Sequence, residues 1–261
     1  MSPFDAFVDD AASLAPHEVP VHEATAAFTS RRGDASLGAS LGVFVVRDTD
    51  LPIVRGFTAP LAVVVTGGAG QVAGPAGLCA RLGLDLVRLE ITLRDLDDLP
   101  GNARRVVAAM DDARAAGSLD EAVPVHVQMP AAPTGAGWLA AADEVAAAVL
   151  RLTLPPPLDA PTLLAWVDAA LDRELPYVAR GMRHAVSTGS DLGLANLLVA
   201  TQLLFDAGRD PLGALTEEDP ERLLERAADL EPARARRWFL SCASGEPETS
   251  LRELAALGLG G

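Results

Sequence analysis

The stretch Leu86-Val87-Arg88-Leu89-Glu90-Ile91-Thr92 decides the fold. Its residues alternate, so that Val87, Leu89 and Ile91 suit a face covered by helices while Arg88, Glu90 and Thr92 point the other way. Val123–Met129 repeats the pattern, with its valines and Met129 on the helix side and His126 and Gln128 opposite. In Val149–Leu154 the leucines face out and Arg151 and Thr153 face in. Working outward, further strand candidates are Phe7–Asp9, Leu41–Val46, Leu61–Thr66, Tyr177–Arg180 and Trp238–Ser241, which makes eight. Helical segments alternate with them, most clearly at Asn102–Ala116, Trp138–Ala147, Thr162–Leu175, Leu194–Asp206 and Ser250–Leu257. Glu23–Arg31 and Gly77–Leu82 are weaker, and Asp48–Gly56 reads as a turn. Asp219 followed by Pro220 marks the start of an extra helix over Pro220–Ala228. Eight such units predict an α/β chain forming a single (β/α)₈ barrel of the TIM type over residues 1–261, with a short, irregular first unit. Pro155–Pro157 then falls in a strand-to-helix loop rather than in a linker.

Composition narrows the chemistry. The net charge of −15 disfavours nucleic acid and anionic membranes as partners. All 21 basic residues are arginines, which excludes Schiff-base, pyridoxal-lysine and P-loop-lysine chemistry. Cys79 and Cys242 lack metal-type spacing and suit a reducing compartment. The start MSPFDAFVDD has no signal-peptide pattern, and no apolar run reaches membrane-spanning length. A cytoplasmic protein is expected, acting on a small anionic metabolite, with homo-oligomerisation left open.

In a barrel, functional groups gather at the carboxyl ends of the strands. Four strands aim polar groups at one axis: Arg88 and Glu90, His126 and Gln128, Arg151, and Arg180, the last followed by Arg183 and His184. Glu90, His126 and His184 are the candidates for proton transfer. Arg88, Arg151, Arg180 and Arg183 outnumber the one obvious lumen carboxylate and are candidates for holding an anion. The loops Ser187-Thr188-Gly189-Ser190 and Ser241-Cys242-Ala243-Ser244-Gly245 suit anion nests, which adds Ser241 and Ser244. The alternative is a buried structural network in which Glu90 pairs with Arg151 or a neighbouring strand. A divalent-metal site using Asp9, Asp10, Glu90 and the histidines has no short-range motif behind it, so no metal and no organic cofactor are expected. The glycine-rich Thr66–Gly70 lacks dinucleotide-binding spacing, Cys242 has no assigned base, and His17 and His22 look incidental.

Several of these stretches together resemble a family of functionally uncharacterised proteins common in actinobacteria. They are Val8-Asp9-Asp10-Ala11-Ala12, the Arg151 strand, Gly181-Met182-Arg183-His184-Ala185, Asn196-Leu197-Leu198, and Phe239-Leu240-Ser241 through Glu246-Pro247 to Leu254. The family pattern has A-K-L-R-T-G-G on the sixth strand, then a lysine before G-L-H-H, then H-G-F-L-N. Here those positions read Ala148-Val149-Leu150-Arg151-Leu152, Val178, Gly181-Met182-Arg183-His184 and Leu192-Gly193-Leu194-Ala195-Asn196, without the two lysines and two of the histidines. The resemblance implies a barrel and adds Asn196 to Arg151 and His184 as site residues. The expected activity is a lyase or isomerase step on a phosphorylated or carboxylated metabolite. The alternative is a non-catalytic relative that binds a metabolite or a protein.

Overall fold

The computed structural model describes residues 2 and 4–258. Eight parallel strands close into a barrel in chain order: β1 (Val8–Asp10), β2 (Leu41–Arg47), β3 (Leu61–Val65), β4 (Leu86–Thr92), β5 (Val125–Gln128), β6 (Arg151–Leu154), β7 (Tyr177–Arg180) and β8 (Phe239–Ser244). The expected (β/α)₈ architecture is therefore present. Closure is made by β8 against β1, with Val8, Asp9 and Asp10 beside Cys242, Ala243 and Ser244.

The helices between the strands are α1 (Val21–Arg32), α2 (Ala73–Leu82), α3 (Leu99–Ala115), α4 (Ala136–Ala147), α5 (Ala160–Leu171) and α6 (Leu194–Phe205). After α6 come α7 (Pro211–Leu215), α8 (Pro220–Ala227) and α9 (Pro232–Ala235), and α10 (Pro247–Ala256) follows β8. Four starts share one local device, an aspartate whose side chain accepts from a first-turn N–H, with proline at one of the first two helical positions. Asp98, Asp159, Asp210 and Asp219 cap α3, α5, α7 and α8 in this way. A 3₁₀ turn at Asp48–Asp50 stands where the second unit needs a helix.

Period two sorts the side chains as the sequence implies. Leu89, Ile91, Val125, Val127, Leu152, Leu154, Tyr177 and Phe239 face the helices and join one core with Phe28, Met110, Trp138, Trp166 and Leu251. A smaller apolar group, Ala11, Leu14, Val45, Ala62, Val178 and Ala243, forms separately from it. The remaining inner positions carry the polar residues described below.

Two expectations need correction. β8 does not stop at Ser241 but runs on to Ser244, because pairing with both β1 and β7 extends the strand through small residues. The stretch Ser241–Ser244 is thus strand and not an anion-binding loop. The short helices α7 and α9 carry no sequence signal, since five and four residues show no helical period.

Asp159 tests the capping argument. Asp159→Ala should lower stability by about 1 kcal/mol and Asp159→Asn by much less, read from urea unfolding midpoints.

Candidate functional site

The barrel interior is organised by alternating charge. Arg88 on β4 donates through Nε to Glu90 Oε1 at 2.8 Å and through Nη2 to Asp9 Oδ2 at 2.8 Å. Ser241 on β8 donates to the same Asp9 oxygen at 2.6 Å, and the N–H of Val43 donates to Asp9 Oδ1. Arg180, at the end of β7, reaches Glu90 Oε2 at 2.5 Å, and Thr153 of β6 donates to that oxygen at 3.1 Å. Two carboxylates and two guanidiniums therefore alternate as Asp9, Arg88, Glu90, Arg180. Glu90 is completely buried and Asp9 is 2% exposed, so each depends on its cations to remain ionised.

The electrostatics follow. Burial alone would raise the Glu90 carboxyl, but Arg180 and Arg88 outweigh it and hold the group below the usual carboxylate range. Burial likewise opposes charge on Arg88, and Asp9 and Glu90 outweigh it. Burial pushes His126, on β5 beside Glu90, down to about 3, with Arg88 acting in the same direction. A carboxylate locked as an anion and an imidazole locked neutral are poor partners for proton exchange at neutral pH.

The residues singled out from the sequence fall into separate groups. Glu90, Arg88 and Arg180 form the network, together with Asp9, which the sequence offers only as a metal ligand. Glu90 pairs with Arg88 and Arg180 rather than with Arg151. Asp10 faces the helix layer, where Arg31 of α1 binds it. Arg183 is exposed and spent on Asp191 and Glu246. His184 donates or accepts through Nδ1 at 2.9 Å from Glu253 of α10, and among the described residues it bonds to neither Glu90 nor His126. The three proton-transfer candidates are thus not assembled into one acid–base unit.

Asn196, expected to touch substrate, is fully buried. Its Oδ1 accepts from Ser187 N, and its amide donates to the carbonyls of Ala214 and Glu217, so it staples the loop after β7 to α7 and the segment beyond it. The supposed nest at Ser187–Ser190 is occupied from within: Ser187 Oγ bonds Leu215 O, and Gly189 N donates to Glu218. Ser244 is buried against Ser250. Cys242 lies in the core with its thiol pushed up to about 12 by burial, which leaves it no nucleophilic role. Among the described residues no group of three or more His, Cys, Asp or Glu side chains is arranged to hold a metal ion.

A cavity of about 520 Å³ opens at the carboxyl ends of the strands. Its polar lining is Gln128, Arg180, Arg183, Asp191 and His17, and Leu14, Pro156 and Met182 supply apolar wall. His17 belongs to the loop after β1, and its ring packs over Gly245, where an added Cβ would lie 2.0 Å from Cδ2. Nothing in its local sequence signals this placement, since only barrel closure brings the loop after β1 to the end of β8. Arg180 is the notable member: Nη2 is engaged by Glu90, whereas the buried Nε, like Nη1, has no hydrogen-bond partner among the described residues. The chain matches no family model and no curated protein.

Two predictions follow from these side chains. Asn196→Ala removes three hydrogen bonds in a closed site and should cost roughly 2–4 kcal/mol in urea unfolding at pH 7. Acidification tests His126. The unfolded chain takes up its proton near the ordinary 6.5 and the folded chain only near 3, so the unfolded state binds the extra proton between these values and stability falls as pH falls. The loss should reach about 2 kcal/mol between pH 7 and pH 5, at roughly 1.4 kcal/mol per unit below the unfolded value. Glu90, whose folded value is depressed, adds a further loss only below its ordinary 4.5. Urea melts at pH 7, 6 and 5 should show that His126→Gln flattens the upper part of this slope.

Proposed function

We propose that this barrel binds a small carboxylate- or phosphate-bearing metabolite in the carboxyl-end cavity, with Arg180 as the anchor. The observation that carries this reading is the half-used guanidinium of a residue lining the cavity: Glu90 fixes Nη2 of Arg180, and its other nitrogens meet no acceptor among the described residues. A guanidinium held in place on one side loses little freedom when it pairs with an oxyanion on the other. Gln128 adds a neutral amide that donates and accepts, which suits a hydroxyl or carbonyl on the same ligand. Arg183 contributes less, because Asp191 and Glu246 already neutralise it.

Binding is better supported than catalysis, since Glu90 is committed to two arginines and His126 is buried neutral. A lyase or isomerase step is the second reading, and the observation favouring it is His17. Among the described residues it is the one imidazole lining the cavity that also contains Arg180, so proton transfer there would fall to His17 and not to the lumen pair. Cytoplasmic residence is part of the same proposal and is supported by two buried, unpaired cysteines. Among the described residues no helix is long and apolar enough to cross a membrane.

The test is calorimetric titration of the full chain with glycerol phosphate, phosphoglycolate, malate and succinate. At least one should bind, and Arg180→Lys, which keeps a cation for Glu90 but not the second arm, should weaken it at least tenfold. Absence of binding by all four, or equal binding by Arg180→Lys, contradicts the proposal. If a ligand binds and is chemically altered, loss of turnover in His17→Gln with retained affinity supports the second reading.

A further inference from the structure

The opposite end of the barrel carries an independent cavity. It has a volume of about 340 Å³ and opens among the amino ends of the strands, where Gly42, Pro60, Pro124 and Leu240 line it. Its charged lining consists of Arg32, Arg88 and Arg151 against the single carboxylate Asp9. Asp9 is already saturated by Arg88, Ser241 and the Val43 N–H. Arg151, half-buried at the start of β6, has no hydrogen bond and no ion pair among the described residues. Burial and repulsion from Arg88 both work against its charge, and no group among the described residues compensates it. The side chain of Arg32, exposed on the rim, lies over the ring of Phe28 and makes no hydrogen bond or ion pair among the described residues.

A second, independent observation lies in the same wall. His126 is 1% exposed, and its Nε2 is buried with no partner among the described residues. Its Nδ1 stands 3.3 Å from the carbonyl oxygen of Leu152, which only accepts, so the ring proton is on Nδ1. In the neutral ring Nε2 is then a lone-pair acceptor that needs a donor. A bare anion would repel that lone pair, whereas an oxyanion that also carries an O–H satisfies both groups. Its charge meets the Arg151 fork, and its hydroxyl proton points to His126 Nε2.

The geometry points to a second binding site at this amino-end mouth, for a protonated oxyanion of the hydrogen-phosphate type, held by Arg151 and His126 with Arg32 at the rim. The site does not share Arg180 or Gln128 with the carboxyl-end cavity, and it involves no chemical conversion. It would sense free phosphate from the face remote from the proposed metabolite site.

The experiment uses the full chain labelled with ¹⁵N, with the His126 ring resonances assigned by comparison with His126→Gln. Inorganic phosphate is titrated at pH 7.5 and constant ionic strength, and sodium sulfate serves as the anion without an O–H. Phosphate should shift the His126 Nε2 resonance in a saturable way, and sulfate should bind at least tenfold more weakly. Arg151→Met should lower the phosphate affinity at least tenfold, while Arg222→Met, which removes an exposed arginine charge on α8, should leave it unchanged. An unshifted Nε2 resonance at 10 mM phosphate overturns the site, as does equal affinity in Arg151→Met. Equal binding of sulfate overturns the role of His126 as acceptor. If phosphate binds without moving Nε2, its location is elsewhere and this proposal fails, although the carboxyl-end reading stands.

Discussion

The contact on which the rest of this structure depends is the double use of Arg88. One guanidinium inside a closed barrel holds Asp9 with one nitrogen and Glu90 with another, both at 2.8 Å, and so ties β1 to β4 across the lumen. Each of these groups alone would cost several kcal/mol to bury, and only the alternating order Asp9, Arg88, Glu90, Arg180 lets all four remain charged away from water. The order also recruits neutral neighbours. Ser241 and Thr153 each donate to a carboxylate oxygen, so β6 and β8 join the same network. A barrel lumen more often fills with branched apolar side chains; here apolar packing of that kind is confined to the small group around Val45, Ala62, Val178 and Ala243.

This arrangement decides what the two mouths offer. Arg88 belongs to the amino-end cavity and Arg180 to the carboxyl-end one, with Glu90 bridging them. Because the network is balanced within itself, the cationic character of each mouth rests on what the network does not consume: the free arm of Arg180 at one end and Arg151 at the other. It also removes Glu90 from proton chemistry, since two cations stabilise its anion. The net charge of −15 makes such local cations conspicuous, for an anion approaching the surface at large is repelled and is attracted only within a short range of these arginines.

Much of this was legible in the residues. The alternation in Leu86–Thr92, Val123–Met129 and Val149–Leu154 placed Arg88, Glu90, His126, Gln128, Arg151 and Thr153 on the lumen side, because a strand's period of two leaves little freedom once one face is apolar. Other features had no such signal. Asp9 sits on a three-residue strand, too short to display a period, and its partner lies 79 positions away. Ser-Cys-Ala-Ser reads as a turn by composition and is a strand only because it has neighbours on both sides. Arg183 reads as an anion-holding cation and His184 as a proton-transfer group, but the fold brings Asp191, Glu246 and Glu253 beside them. Asn196 is marked as a site residue by the family resemblance alone, and its partners are backbone groups from segments that no local pattern connects to it.

The most direct measurement of the central claim is a double-mutant cycle across the Arg88–Asp9 contact, using Arg88→Met, Asp9→Asn and the pair, with stability read from urea unfolding at pH 7. Each single change strands a charged or polar partner in the lumen, so the double variant should be less destabilised than the sum of the singles by about 1–3 kcal/mol. Additivity within about 0.5 kcal/mol would show that the two groups act independently, and would contradict a barrel organised by this network.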